Sequence, residues 1–168
     1  MDSRLFKGLL DISFFLLYFD VKPPQFHLLL VDDDEDDCLL FEDALWEVNN
    51  NVLVTIAKDG EQFIRVFNRE SVPGVDIIFL DLNMPCKNGF EYLLEIRQDD
   101  RLKHVPVIIL STSSEAFAVE RAYQLGANFY IRKPGTFSQL KRLIRKILTI
   151  DWKDNLSQPT KDRFVIST

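Results

Sequence analysis

Apolar residues along this chain occur in two patterns, short continuous runs and stripes with helical spacing. Short runs bounded by polar or turn residues predict strands that are buried on both faces of a sheet. Stripes in which apolar residues recur every three or four positions predict helices. Five runs alternate with five stripes, and the predicted strands are 26–31, 52–57, 75–80, 107–110 and 128–131.

The stripes also predict which face of each helix is buried. The fifth helix has the cleanest stripe and follows a Thr-x-x-Gln capping box at 136–139. In the third helix the apolar stripe consists of Phe90, Leu93 and Leu94. The residues predicted to face solvent on that helix are Glu91, Glu95 and Arg97.

The alternation of strands and helices predicts an α/β fold, a doubly wound parallel sheet with five strands and helices on both faces. We expect one domain over residues 26–150. Residues 1–25 are predicted to be an N-terminal extension, because their apolar run is shorter than the about 20 residues that cross a bilayer. This extension is either a helix packed on the domain or an upstream start with no function. Residues 151–168 are polar and are predicted to be a tail.

Net charge and cysteine usage narrow the range of partners and compartments. Of the 168 residues, 26 are acidic and 20 are basic, so the net charge is −6. This balance argues against a general affinity for nucleic acid or for anionic membranes. Cys38 and Cys86 form no Cys-x-x-Cys pair or disulfide framework, which favours a reducing, cytoplasmic location. His27 and His104 have no partners at metal-ligand spacing and are interpreted as structural or surface residues.

Reactive side chains follow four of the five predicted strands. Asp32 and Asp33 follow the first strand, Asp81 the third, Ser111 the fourth and Lys133 the fifth. The carboxyl ends of parallel strands meet at one edge of the sheet, where such folds bind their ligands. The sequence therefore predicts three carboxylates, a hydroxyl and an amine in one crevice.

Three adjacent carboxylates repel one another unless a cation neutralises them. An oxygen-only ligand set without His or Cys suits Mg²⁺, which retains water and shares a phosphate. Two simpler interpretations remain open. The acids at 34–37 stabilise the N-terminus of a helix, and an isolated Asp such as Asp81 after a strand can simply cap a loop.

The amine at the end of the fifth strand also has two interpretations. Lys133 either forms only a salt bridge with the acids or neutralises an incoming phosphoryl group, since phosphoryl transfer depends on positioning and charge. In the second case Asp81 is the nucleophile, and Ser111 donates a hydrogen bond to a phosphoryl oxygen.

Four motifs in this order resemble the receiver domain of bacterial two-component response regulators. They are Val-Asp-Asp-Asp at 31–34, Leu-Asp-Leu-Asn-Met-Pro at 80–85 with Gly89, Ser111 after an apolar run, and Lys-Pro at 133–134. The resemblance covers residues 26–150 and is greatest to stand-alone receivers paired with bacteriophytochromes and other hybrid kinases. It implies a flavodoxin-like fold with strand order 2-1-3-4-5.

The resemblance implies a role for each acidic residue in the crevice. Asp81 would be the phosphoacceptor. Asp33 and Asp81 would bind Mg²⁺ directly, and the backbone carbonyl of Asn83 would be a third ligand. Asp32 would act through a water molecule.

The resemblance also implies a conformational switch. Ser111 would be the switch hydroxyl, Tyr130 the aromatic residue that moves with it, and Lys133 the phosphate-binding lysine. The peptide bond before Pro134 is expected to be cis. Gly135 departs from the family, in which an apolar residue is common at this position, and puts the usual packing below the fifth helix in question.

The expected partners are a histidine kinase or phosphotransfer protein, and a downstream protein or second copy on the helix 4–strand 5–helix 5 face. No nucleic-acid or membrane partner is expected. The alternatives are a phosphorylation-independent interaction module and a Mg²⁺-dependent phosphatase of the haloacid-dehalogenase type, in which Asn83 would stand where the acid is required. DNA binding through the basic residues of the fifth helix is a further alternative, although these residues suit its solvated face; they are Lys141, Arg142, Arg145 and Lys146.

Overall fold

The computed structural model describes residues 26–68, 74–85, 87–152 and 158–167. The prediction for the N-terminal extension, residues 1–25, lies outside these described residues. No helix in the described part of the chain is long and apolar enough to cross a membrane.

Six parallel strands form a single sheet in the order β2-β1-β3-β4-β5-β6. Their bounds are β1 Phe26–Val31, β2 Val52–Ala57, β3 Ile77–Leu80, β4 Val107–Ser111, β5 Phe129–Arg132 and β6 Val165–Ile166. The order of the first five confirms the predicted α/β topology. The sixth strand was not predicted, and it pairs with β5 in the register Tyr130↔Val165 and Ile131↔Ile166.

Helices connect the strands and cover both faces of the sheet. Their bounds are α1 Glu35–Val48, α2 Gly60–Asn68, α3 Gly89–Gln98, α4 Ala116–Gln124, α5 Phe137–Leu148 and α6 Lys161–Phe164. Alternate residues of each central strand point to opposite faces. One face packs against α1 and α5 and the other against α2, α3 and α4, which gives two apolar core layers.

The two central strands, β3 and β4, fix the positions of the polar residues at their carboxyl ends. Every residue of β3 and β4 is buried. β3 is apolar throughout and is followed directly by Asp81, whereas β4 is apolar up to its last residue, Ser111. The strong burial fixes the register of the strands and therefore the positions of Asp81 and Ser111.

The tail predicted over residues 151–168 is wrong for the described part of that segment. Trp152, Phe164 and Ile166 are buried. Phe164 belongs to the core layer that contains α4, whereas Ile166 belongs to the layer that contains α5. Apolar side chains at 164 and 166 thus anchor a segment whose remaining residues are mostly polar.

The predicted faces of α3 also require correction. The buried residues of this helix are Gly89, Tyr92, Leu93 and Ile96, whereas Leu94 is exposed. Arg97 does not project into solvent, because its guanidinium donates to the carbonyl oxygens of Val105 and Gly126 and to Oδ1 of Asn128, at 2.9, 2.9 and 3.0 Å. Oxygen acceptors near the end of α3 therefore hold the Arg97 side chain against the protein.

Candidate functional site

The ends of β1 and β3 bring three carboxylates together. One oxygen from each of Asp32, Asp33 and Asp81 lies within 4.8 Å of the others. Asp32 is only 1% exposed and Asp81 only 4%. The backbone N–H of Asp81 donates to the carbonyl of Val31 at 2.9 Å, so the sheet ladder itself holds the two strand ends at the same level.

One oxygen of Asp81 is suited to bind a cation. Among the described residues, Oδ1 of Asp81 is the buried side-chain oxygen or nitrogen that lacks a hydrogen-bond partner. A buried acceptor without a donor costs free energy. An oxygen-rich cluster with one unpartnered carboxylate oxygen fits the ligand preference of Mg²⁺ or Mn²⁺.

Lys133 supplies the positive charge of the crevice. Its Nζ lies 2.8 Å from Oδ2 of Asp32, 2.7 Å from Oδ2 of Asp37 and 3.6 Å from Oδ2 of Asp81. The amine is therefore closest to two acids that flank the predicted acceptor and is more distant from the acceptor itself.

Burial and charge act in opposite directions on the pKa values of these groups. Burial raises the pKa of the Asp32 and Asp81 carboxyls, although Lys133 works against this rise. Burial alone would lower the pKa of Lys133, but the hydrogen bonds to Asp32 and Asp37 outweigh it and the pKa is raised. Lys133 is consequently a permanent cation in the crevice at neutral pH.

The acids after Asp33 have separate tasks. Asp34 is the N-cap of α1, because its side chain accepts from the backbone N–H groups of Asp36 and Asp37 at 2.9 and 3.1 Å. Asp37 contacts Lys133, a role that the sequence reasoning missed because all four acids at 34–37 were interpreted as helix-terminal. Asp37 lies three residues after the N-cap Asp34, at the end of the first helical turn. This spacing is the signal that could have distinguished the lysine-binding acid from the capping acid.

The hydroxyl of Ser111 lies at the end of β4 and is completely buried. Its Oγ accepts from Nδ2 of Asn83 at 3.3 Å and from the backbone N–H of Ser113 at 3.2 Å. Nδ2 of Asn83 also donates to Oγ1 of Thr112 at 2.9 Å. The side chain of Asn83 thus joins the loop after β3 to the end of β4 and the loop that follows it, whereas the family resemblance implied a metal-binding role for its backbone carbonyl.

Tyr130 lies inside the molecule. The side chain is 1% exposed, and its hydroxyl donates to the carbonyl oxygen of Ser113 at 2.9 Å. This contact joins β5 to the loop that follows Ser111. The ring already occupies an inward position, and its hydroxyl is bound to protein.

Gly89 allows the loop after β3 to close against the start of α3. A Cβ at this position would lie 2.2 Å from the carbonyl oxygen of Asp81 and 2.8 Å from Cα of Leu82. Asn88 caps α3 in a reciprocal capping box with Glu91. Any larger residue at 89 would push the helix away from the backbone that carries Asp81.

The expected cis bond before Pro134 is wrong. The described residues contain no cis peptide bond, so the Lys133–Pro134 bond is trans, the isomer that X–Pro bonds favour by about 0.5–1 kcal/mol. At Gly135 a Cβ would meet nothing within 4 Å. Gly135 thus departs from the family pattern at a position where a side chain would meet open space. The helix α5 still begins with a regular N-cap, Thr136.

Comparison with known proteins identifies this arrangement. A family model described as the response regulator receiver domain matches residues 28–145. The chain belongs to this family. This membership confirms the predicted resemblance, whose motifs include the acidic residues at the ends of β1 and β3 and the lysine at the end of β5.

Individual receiver proteins are similar over most of the chain. The response regulator Rcp1 of Synechocystis is 31% identical over 142 residues, which are 82% of this chain and 95% of Rcp1. The Mn²⁺-bound crystal structure of Rcp1 has a TM-score of 0.65 and covers 80% of this chain and 99% of that one.

Two other receiver structures match to a similar extent. The phosphorylated cyanobacterial phytochrome response regulator RcpA is 34% identical with a TM-score of 0.64, over 80% of this chain and 96% of RcpA. The response regulator RPA3017 in red light signaling of R. palustris is 30% identical with a TM-score of 0.69, over 80% of this chain and 99% of that one. The similarity of this receiver domain thus extends to stand-alone, light-associated members of the family.

Proposed function

We propose that this chain is a phosphoacceptor response regulator that takes a phosphoryl group on Asp81 from a histidine kinase or phosphotransfer protein. The observation that carries the proposal is the buried Asp81 carboxylate, which stands between an acidic pair and Lys133 with one oxygen unpartnered. A purely structural acid at this depth would have its hydrogen bonds satisfied.

The chemistry requires one bond to form and one to break. An oxygen of the Asp81 carboxylate attacks the phosphorus of a phosphohistidine, the new O–P bond forms, and the N–P bond breaks as the imidazole leaves. Lys133 is 3.6 Å from Asp81 and is positioned to neutralise the charge on the transferred group. Ser111 offers a hydroxyl hydrogen to a phosphoryl oxygen.

The ligands of a divalent cation at this site would be Asp33, Asp81 and the backbone carbonyl of Asn83, with Asp32 acting through water. When bound, Mg²⁺ supplies positive charge that neutralises the carboxylates and the transferred phosphoryl group. The unpartnered oxygen of Asp81 and the oxygen-only cluster support this assignment. The similar receiver protein Rcp1 has been crystallised in a Mn²⁺-bound form, which agrees with a divalent cation at such a site.

The proposed output is a change in protein–protein contact on the face formed by α4, β5 and α5. Ser111 would move towards the phosphoryl group, and Tyr130 would respond because its hydroxyl is bound to the same loop. A downstream protein or a second copy would read the change. A similar protein, RcpA, has been crystallised in a phosphorylated form, which agrees with phosphorylation as the trigger of this change.

The alternatives are less well supported by the geometry. A degenerate interaction module would not need a lysine and three acids assembled around a buried acceptor. A phosphatase of the type considered would need an acid at position 83, whereas Asn83 has an amide side chain, which donates to Ser111 and Thr112. On α5, Lys141 pairs with Glu47 at 2.6 Å, as expected for a solvated helix face rather than a DNA-binding surface.

The test is phosphoryl labelling of the full chain by acetyl phosphate and by a phosphorylated histidine kinase, in the presence of Mg²⁺. Asp81→Asn should abolish labelling and keep the fold, because it removes the nucleophile at nearly constant volume. Asp36→Asn is the matched control, since Asp36 is an exposed acid of the same crevice region, and it should label normally. Stoichiometric labelling of Asp81→Asn would assign the acceptor to another residue.

A further inference from the structure

The segment Gln158–Ile166, which we call the C-terminal strap, covers the edge of the sheet beside the proposed switch. Its last two residues form β6, which extends the sheet by pairing in parallel with β5. Without the strap, β5 would be an edge strand with unpaired backbone groups. The strap therefore occupies a position at which an added strand can bind.

Phe164 is the apolar anchor of the strap. It is 1% exposed, and its ring centroid lies 5.0 Å from that of Tyr123 on α4 and 6.3 Å from that of Tyr130 on β5. Two residues later, Ile166 is buried in the core layer on the opposite face of the sheet. The strap thus closes both core layers at this edge.

Polar contacts hold the first half of the strap on α4 and the loop that follows it. Nε2 of Gln158 donates to the carbonyl oxygens of Tyr123 and Ala127 at 2.6 and 2.8 Å. The hydroxyl of Tyr123 donates to the carbonyl of Pro159 at 3.2 Å. Lys161 pairs with Glu120 at 2.8 Å, which fixes the register of the strap on α4.

A short series of contacts joins the strap to the phosphorylation site. The backbone N–H of Ser113 donates to Oγ of Ser111 at 3.2 Å, and the carbonyl of Ser113 accepts from Tyr130 at 2.9 Å. The ring of Tyr130 in turn packs against Phe164. A cleft of about 450 Å³ lies between the strap and the crevice, lined by Lys133 and Gly135 on one side and Val165 and Ile166 on the other.

We propose that the edge of β5, together with Tyr123 and Tyr130, is a strand-docking site whose resting occupant is the chain's own strap, and that a phosphoryl group on Asp81 releases the strap. The inference rests on the proposed function and specifies how the α4–β5–α5 face is controlled. Movement of Ser111 towards the phosphoryl group displaces the backbone of Ser113. The hydroxyl of Tyr130 then loses its hydrogen bond to the Ser113 carbonyl, and the Tyr130 ring loses its present packing against Phe164.

Release has a defined consequence for the partner. It uncovers an unpaired strand edge and an aromatic recess at the same place. A partner that adds a β-strand and inserts one aromatic or large aliphatic side chain matches this surface, because strand addition takes affinity from the backbone and specificity from side-chain pockets. The strap and such a partner compete for one site.

The experiment measures amide hydrogen exchange on the full chain with Mg²⁺, before and after addition of beryllofluoride, which mimics the phosphoryl group. Exchange at residues 164–166 should become at least about tenfold faster on loading, the change expected when a docked segment opens locally. Phe164→Ala should release the strap without loading and speed the same amides by about a hundredfold, given the cost of deleting a buried aromatic side chain. That variant should still be labelled at Asp81.

Phe117→Ala is the matched control. Phe117 lies on α4 but is 71% exposed, so the same chemical change there should leave exchange in the strap unaltered. Phe164→Leu, which keeps an apolar anchor, should restore most of the protection that Phe164→Ala removes. Rescue of this kind separates loss of the anchor from general unfolding.

The outcomes separate this inference from the function on which it rests. Amide shifts at 81–83 and 111–113 without faster exchange at 164–166 would overturn strap release and leave phosphorylation intact. Absence of both shifts and labelling would overturn the two together. Protection of the strap that grows with protein concentration would place the segment on a second copy and would also overturn the proposal.

Discussion

Lys133 is shared among acids of unequal importance to the proposed reaction. Its two shortest contacts, to Asp37 and Asp32, are to acids other than the proposed acceptor Asp81. To reach a phosphoryl oxygen on Asp81 the amine must weaken at least one of these contacts. Asp37 is the partly exposed member of the pair and is therefore the one that competes with the acceptor for the lysine.

Asp37→Asn should increase the rate of labelling by acetyl phosphate by about fivefold, because releasing Lys133 from one charge-assisted hydrogen bond is worth roughly 1 kcal/mol. The measurement is the initial labelling rate at fixed Mg²⁺. Asp36→Asn removes the same charge from the neighbouring position without touching Lys133, and its rate should stay close to that of the wild type. Equal rates for the two variants would show that the effect is one of overall charge.

The buried carboxylate of Asp81 also predicts a stability effect in metal-free buffer. Asp81→Asn should raise the free energy of unfolding at pH 7 by about 1–2 kcal/mol, because it removes a buried, incompletely bonded charge. For a chain of this size, roughly 2–4 °C in Tm accompanies each kcal/mol.

The advantage of Asp81→Asn should shrink on acidification. The folded-state pKa of Asp81 is raised above its unfolded value, so the ionised carboxyl destabilises the fold above the folded pKa. As the pH falls through that pKa the wild-type carboxyl takes up a proton, and the difference from the uncharged variant decreases. Thermal unfolding of both proteins between pH 7 and pH 4 checks the sign, and a difference that widened on acidification would contradict it.

The chemical character of the site residues could be predicted from the sequence, but their contacts could not. The apolar runs predict the strands and the sheet topology, and they therefore place Asp81 and Lys133 at strand ends on one edge of the sheet. The six acids at 32–37 look alike in a linear sequence. Only the helical turn that places Asp34 on the backbone N–H groups and Asp37 beside Lys133 distinguishes their roles.

At the level of elements, α3 shows that a prediction based on polarity alone can assign a side chain to the wrong face of a helix. The sequence analysis placed Arg97 among the solvent-facing residues of α3, yet the chain supplies four acceptors for it, from residues 103, 105, 126 and 128. These acceptors belong to the connection between α3 and β4 and to the connection between α4 and β5. Gly126, with φ of 87°, shapes one of these connections, and a Cβ there would lie 3.3 Å from Nε of Arg97.

Arg97→Met should lower the free energy of unfolding by about 2–3 kcal/mol, because it keeps the aliphatic stem but leaves carbonyl oxygens without donors. Arg101→Met is the comparison, since Arg101 forms an exposed pair with Asp99 and exposed pairs contribute at most about 1 kcal/mol. Urea unfolding of both variants measures the two costs. Similar values would mean that Arg97 acts only as surface charge.

For the whole molecule, the five-stranded core was predictable and the sixth strand was not. A parallel sheet needs long apolar runs, which the sequence displays, whereas β6 contains two residues and gives no periodic signal. The short apolar run Phe164-Val165-Ile166 in a mostly polar stretch was a hint of the strand. The burial of Phe164 and Ile166 depends on a recess that exists only after α4 and β5 have packed.

Bound Mg²⁺ should stabilise the whole fold by linkage. At ten times its Kd the cation should add about 1.4 kcal/mol and raise Tm by roughly 3–6 °C, provided that it binds only the native state. Asp33→Ala should abolish this rise, because Asp33 contributes one oxygen of the cluster. Differential scanning calorimetry with and without Mg²⁺ measures the effect, and a full rise in the variant would place the ion elsewhere.

The acidic run at 32–37 has a consequence for how a phosphoryl donor would reach the proposed acceptor. It places several exposed negative charges around the entrance to one buried carboxylate. A small anionic donor must diffuse against this potential, so its encounter rate should increase with ionic strength as salt screens the repulsion. A protein donor with a basic surface would be steered towards the same edge and slowed by salt. Raising the ionic strength should therefore speed labelling by a small anionic donor and slow labelling by a basic protein donor.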